Sequence, residues 1–124
     1  MALAPAAELP SPREPGAPYQ VCLVCLGNIC RSPMAEKMFA HQITERGLDN
    51  AVRVTSAGTA GWHIGKSADE RANRVLRGHG YPTDHIATQV DIDHLNADLV
   101  IALARNHVPL LQQLGVDADR IRML

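Results

Sequence analysis

Gln20-Val21-Cys22-Leu23-Val24-Cys25-Leu26-Gly27-Asn28-Ile29-Cys30-Arg31-Ser32-Pro33 joins an apolar run, a short loop containing glycine and the opening of an amphipathic segment. A continuous apolar run over residues 20–25, with a proline-rich stretch before it and a glycine loop after it, is expected of a central parallel strand buried on both faces. Ser32 followed by Pro33 reads as an N-cap and first helical residue, so a helix starts where the loop ends. Strand, glycine loop and helix come in the order that a phosphate-binding loop requires. Gly27 lets the backbone approach an anion and adopt conformations closed to residues with a Cβ. The amides of Leu26, Gly27, Asn28, Ile29, Cys30 and Arg31 can then turn inward as a nest. The positive end of the following helix points to the same place.

Two side chains turn this cradle into a reactive one. Cys25 lies in that positive field, beside Arg31 and within reach of the Ser32 hydroxyl, so its thiol is expected to ionise more readily than a free one. Arg31 offers a planar fork of donors matched to two phosphoryl oxygens, and its charge would stabilise a phosphoryl-transfer transition state. The plainer alternative is a strand-to-helix turn with a buried cysteine.

The rest of the chain continues the alternation. A helix is predicted from Ser32 to about Gly47, with Met34, Met38 and Ile43 near one face and Gly47 as C-cap. Residues 52–55 form a second strand. The loop over 57–65 holds Gly58, Gly61, Gly65 and the only tryptophan, and connectors of that length are usually functional. Ser67-x-x-Glu70 reads as a capping box for a helix burying Ala68, Ala72, Val75 and Leu76 and ending near residues 78–80. A short turn or helix at 91–96, a strand at 99–103, a helix at 107–114 closed by Gly115, and a strand from residue 120 follow. This predicts an α/β domain with a doubly wound, four-stranded parallel sheet and helices on both faces, its site at the strand carboxyl ends.

The chain of 124 residues fits one domain. Residues 1–18, rich in Ala and Pro, are expected to form a disordered tail, leaving 19–124 as the folded unit. A net charge of -1, with no basic run or stacking platform, gives no reason to expect nucleic acid or an anionic membrane as partner. Neither a secretory signal nor a membrane span is visible, which predicts a cytoplasmic protein. The three cysteines lie between positions 22 and 30 and fit a reducing compartment. The Cys22-x2-Cys25 spacing suits neither a redox pair nor a zinc site, and no metal or other cofactor is expected. Cys22 reads as a buried strand thiol. Cys30 reads either as a redox partner trapping an oxidised Cys25 or as a small buried filler. His41, His79, His94 and His107 read as surface residues, and Asp91, Asp93, Asp117 and Asp119 as solvated turns and caps. Trp62, between Gly61 and His63 in a polar loop, is expected to wall a cleft.

Val24 to Pro33 resembles the loop of the low molecular weight protein tyrosine phosphatases, and further landmarks follow in that family's order. They are Ser56-Ala57-Gly58-Thr59, Trp62-His63, Gly80-Tyr81-Pro82 with His85, and the segment 102–106. The resemblance is closest to bacterial members and runs from about residue 19 to residue 124. It implies a four-stranded parallel sheet and hydrolysis of phosphotyrosine through a cysteinyl-phosphate. Cys25 would be the nucleophile, Arg31 the phosphate ligand and Ser32 a support for the thiolate. Asn28, Ser56 and His85 would hold the loop in shape, and Leu26, Trp62 and His63 would wall the cleft. Substrates would be phosphotyrosine proteins or aryl phosphates, and export without a signal peptide is also implied.

Two departures qualify that expectation. The family's general acid is an aspartate in an Asp-Pro-aromatic-Tyr segment beyond the fourth strand; these residues hold no Asp-Pro pair and stop at Leu124. Without it the phenol would leave as phenolate, and such proton transfer is worth roughly 10² to 10⁴ in rate. Ala104 also stands where the family usually carries aspartate. The expected domain therefore lacks its last helix, and the sheet face so uncovered favours self-association. The competing functions are an acid-less module that binds phosphate or phosphoproteins, and an arsenate reductase. The second needs two further cysteines downstream, and none follows Cys30.

Overall fold

The computed structural model describes residues 9–124. The part of the tail expectation that falls on residues 1–8 lies outside the described residues, whereas Pro10, Ser11 and Arg13 are hydrogen-bonded to the folded unit and so depart from a disordered tail. The sheet is built from β1 (Tyr19–Cys25), β2 (Val52–Gly58), β3 (Leu99–Ala102) and β4 (Ile121–Met123), in the order β2-β1-β3-β4 and parallel throughout. Between the strands lie α1 (Arg31–Glu45), α2 (Glu70–Gly78), the short α3 (Ile92–Leu95) and α4 (His107–Gln113), with a 3-10 turn at Ala118–Arg120 before β4. The doubly wound α/β fold expected from the alternation is the one observed.

β1 is buried through five consecutive residues, Val21 to Cys25, as an apolar strand with neighbours on both edges and cover on both faces should be. Its alternating residues point to different helices. Cys22 and Val24, with Val100 and Ala102 of β3, pack on Leu111 of α4, Val116 and Ile121 to make the main core. Val21, Leu23, Leu99 and Ile101 line the opposite face, where α1 contributes Ala35, Phe39 and Ile43. No helix among the described residues is long and apolar enough to cross a membrane.

Several local expectations are corrected. Ser32 is not the N-cap of α1: Cys30 holds that position, without a side-chain cap bond, and Ser32 is wholly buried in the first turn. The Ser67 capping box does not form. Asp69 caps α2 by accepting from the Arg71 amide, while Ser67 bridges Ile86 in an antiparallel pairing. Of the stripe read for α2, Ala68, Ala72 and Leu76 are buried and Val75 is exposed. Met38 of α1 lies on the sheet side with Phe39, Leu23 and Ile101, and both Met38 and Phe39 stay partly exposed.

Candidate active site

β1 and β3 are the strands from which the chain departs in opposite directions, to β2 and to β4. Their carboxyl ends frame the crevice where doubly wound sheets bind ligands. Cys25 closes β1 there, 4% exposed, and residues 26–30 loop from it to α1. The other wall is the end of β3: Arg31 Nη1 donates to the Leu103 carbonyl at 3.3 Å, which holds the guanidinium across the crevice.

The backbone of this loop turns on Asn28. Gly27 was expected to take the left-handed conformation, but Asn28 takes it instead, at φ 57°, and is the only non-glycine residue with positive φ among those described. Asparagine tolerates that region better than most side chains. Here its polar atoms are also fully used. Nδ2 donates to Ser32 Oγ at 2.8 Å and to Ser56 Oγ at 3.0 Å, and Oδ1 accepts from the Thr88 amide at 2.9 Å. The Asn28 amide lies 3.3 Å from Cys25 Sγ, and its carbonyl accepts from His85 Nε2 at 2.6 Å. A carbonyl only accepts, so Nε2 carries the proton. Asn28 is wholly buried, and these five bonds fix it inside the loop.

Cys25 Sγ lies 2.9 Å from Ser32 Oγ. Because Asn28 Nδ2 already supplies a hydrogen to the Ser32 oxygen, the hydroxyl can aim its own at the sulfur. With the Asn28 N–H the sulfur then has two donors within reach. Burial pushes the Cys22 thiol of β1 up to about 12, in keeping with the buried strand thiol read from the sequence.

Gly27 matters for a different reason. Its φ is unremarkable, but a Cβ there would lie 2.9 Å from His63 Cδ2, so the glycine makes room for the imidazole. Gly58 performs the equivalent service for the backbone, since its Cβ would meet the Leu26 carbonyl oxygen at 2.7 Å. That approach lets the Thr59 and Ala60 amides donate to the Cys25 and Leu26 carbonyls, each at 2.9 Å. Trp62 stands 70% exposed in the same loop, and Leu26 is about half exposed.

The structure thus brings Cys25, Asn28, Ser32, Ser56 and His85 into one hydrogen-bonded cluster, with Arg31 at its edge. Cys30 is exposed, against the buried-filler alternative. His107, read as a surface residue, is buried at the start of α4, where desolvation and then the Arg31 charge lower its pKa. Sequence reasoning missed Glu36. Its Oε1 accepts from Ser56 Oγ and lies 3.9 Å from His85 Nδ1. The available signal was its spacing: Glu36 follows Ser32 by four residues and so shares the helix face turned to the loop. Thr88 was missed as well, because it acts through its backbone amide, which no residue type announces.

The profile of the family described as low molecular weight phosphotyrosine protein phosphatase matches residues 20–124. The chain belongs to that family. It is 68% identical over 107 residues to low molecular weight protein-tyrosine phosphatase A of Mycobacterium tuberculosis, an overlap covering 86% of this chain and 66% of that relative. Against the low molecular weight protein-tyrosine-phosphatase of Streptomyces coelicolor it is 46% identical over 110 residues, 86% of this chain and 67% of the relative. The crystal structure of YfkJ from Bacillus subtilis superposes with a TM-score of 0.83 at 35% identity, covering 89% of this chain and 72% of the other. The chain therefore spans 66% of the length of the mycobacterial relative. The cluster around Cys25 lies wholly inside the matched segment, so family membership and loop geometry bear on the same residues.

Proposed function

We propose that the chain is a protein tyrosine phosphatase that hydrolyses phosphotyrosine, and aryl phosphates generally, through a cysteinyl-phosphate. One observation carries this reading: a buried sulfur with Ser32 Oγ and the Asn28 amide aimed at it, at the mouth of a helix and beside Arg31. The Cys25 thiolate attacks phosphorus in line, an S–P bond forms, and the bond from phosphorus to the aryl oxygen breaks. The loop amides and Arg31 hold the equatorial oxygens, on which charge collects in the transition state. Water then attacks phosphorus, the S–P bond breaks, and phosphate leaves with the thiolate restored. Depth sets the substrate class, because a nucleophile 4% exposed is reached by the length of a phosphotyrosine more readily than by phosphoserine. Leu26, Trp62 and His63 supply the walls for the aryl ring.

Of the groups assigned above, none is an acid for the leaving oxygen. A substrate whose phenol departs unaided therefore tests the loop by itself. Release of p-nitrophenol from p-nitrophenyl phosphate is expected from the 124-residue chain and abolished in Cys25→Ser, with phosphotyrosine peptides hydrolysed faster than phosphoserine peptides. Turnover surviving Cys25→Ser, or equal rates on the two peptides, would overturn the reading. A folded chain that binds phosphate without turnover would favour the phosphate-binding module. Cys30, exposed on the same loop, is proposed as the resolving thiol: its sulfur attacks the sulfur of a Cys25 sulfenic acid, the S–O bond breaks, the hydroxide takes up the Cys30 thiol proton and leaves as water, and a disulfide forms. Peptide mapping after peroxide treatment should find that disulfide, and a Cys25 sulfinic acid in its place would count against it. The three free thiols suit action in the cytosol, and the partly exposed Met38 and Phe39 of α1 suit self-association.

A further inference from the structure

At the amino ends of the strands, roughly 20 Å from Cys25 along the seven residues of β1, a second polar cluster joins the chain's first described residues to the sheet. These residues precede the segment matched to the family. The sequence already contains the means of folding them back. In Glu14-Pro15-Gly16-Ala17 the Ala17 amide donates to the Glu14 carbonyl at 3.1 Å, and Gly16 has φ 94°. Proline at the second position and a positive-φ glycine at the third are the requirements of a type II turn. The turn reverses the chain, so that residues 10–13 lie against the strand ends from which β1 departs.

The receiving group is Asp98, 6% exposed and immediately before β3. Both carboxylate oxygens are taken by backbone amides: Oδ1 accepts from Arg13 N–H and Oδ2 from Gln20 N–H, each at 2.7 Å. The arm is bonded at three further points. Tyr19 Oη donates to the Pro10 carbonyl at 2.9 Å, Arg13 Nε donates to the Ala97 carbonyl at 3.3 Å, and Arg120 Nη1 donates to the Ser11 carbonyl at 2.9 Å. The same Arg120 nitrogen reaches the Asp98 carbonyl at 3.0 Å.

We infer that residues 10–13 are a strap whose socket is Asp98, and that the strap secures the edge strand β4 through Arg120. β4 has three residues and, among the described residues, pairs only with β3, so little besides its flanks opposes fraying. Arg120 directly precedes it and spans from the arm to the start of β3. When the arm leaves, Arg120 loses one of its two acceptors and a buried carboxylate oxygen loses its donor, and both losses fall where β4 begins.

The test uses the 124-residue chain and two substitutions confined to the arm. Arg13→Pro removes the N–H that fills the Asp98 socket, whereas Arg13→Ala keeps that N–H and removes only the contact of Nε with Ala97. Hydrogen exchange read by NMR should show a protected Arg13 amide in the wild type. In Arg13→Pro the β4 amides should exchange roughly 5- to 20-fold faster, while Arg13→Ala stays near the wild type and p-nitrophenyl phosphate turnover is unchanged in both. An unprotected Arg13 amide, equal effects of the two substitutions on β4, or no effect of either would overturn the strap.

Discussion

Asn28 shows how one residue can carry both the shape and the chemistry of a loop. The sequence reading placed the conformational burden on Gly27 because glycine is the residue that usually bears it. Here Gly27 is needed for space, to admit His63, and the left-handed turn falls on its neighbour. Spacing identified the reactive atoms, Cys25, Arg31 and Ser32, because nucleophile and anion ligand are recognised by residue type. It could not reveal that Asn28 would satisfy two hydroxyls, an amide, a ring nitrogen and the sulfur at once, since that requires β2 and the 85–88 loop to arrive at the same place. Asn28→Ala removes the side-chain bonds to Ser32, Ser56 and Thr88 and leaves a Cβ residue without asparagine's tolerance for φ 57°. A buried polar group left unpaired costs about 1–3 kcal/mol and the left-handed conformation about 1–2. Unfolding in urea should therefore show a loss of about 3 kcal/mol, together with a fall in kcat on p-nitrophenyl phosphate. A loss below about 1 kcal/mol would mean that the loop keeps its shape by other means.

At the scale of elements, α1 serves the site from two positions four residues apart. Ser32 reaches the sulfur, and Glu36 reaches Ser56 on β2 and approaches His85. Ser56 receives a hydrogen from Asn28 Nδ2 and passes its own to Glu36, so the carboxylate orients the hydroxyl that orients Asn28. Glu36 is thus a positioning residue, remote from any reacting atom. Glu36→Ala leaves the Ser56 hydroxyl without its acceptor and should lower kcat about tenfold with little change in KM, as the loss of one hydrogen bond of roughly 1.4 kcal/mol would do. Glu36→Gln keeps an accepting oxygen and should recover most of that rate. If Gln and Ala variants are equally impaired, the charge of Glu36 rather than its orienting bond is what matters. The same elements show where sequence patterns stop. The order of strands and helices was legible, β1 most plainly, because burial on both faces enforces its apolar run. The Ser67 capping box was not, because Ser67 is drawn into a bridge with Ile86 and Asp69 is left to cap α2. His107 likewise sits on a short helix whose sequence gives no sign that its first residue faces the core.

Across the whole molecule, the two faces of the sheet are unequally covered. On one side, Leu111 and Val116 close over Cys22, Val24, Val100 and Ala102 to make the core. On the other, α1 packs toward β1 and β2 and leaves a cleft of about 320 Å³ lined by Leu23, Ala35, Met38, Phe39, Ile101 and Leu124. A neighbouring cleft of about 300 Å³ shares Phe39 and continues past Ile43 and Leu48. Met38 and Phe39 are 41% and 37% exposed, so a contiguous apolar strip runs along α1 in contact with water. Burying such area is worth about 25 cal/mol per Å², and a second copy of the chain presenting the same strip can supply the cover. Sedimentation velocity on the 124-residue chain should show mass action between monomer and dimer in the micromolar range, strengthened by sulfate. Phe39→Glu introduces a charge into the strip without touching the loop around Cys25, and it should shift the population to monomer while preserving turnover on p-nitrophenyl phosphate. A wild-type chain that stays monomeric at all concentrations, or a Phe39→Glu chain that associates equally well, would show that this face does not join copies.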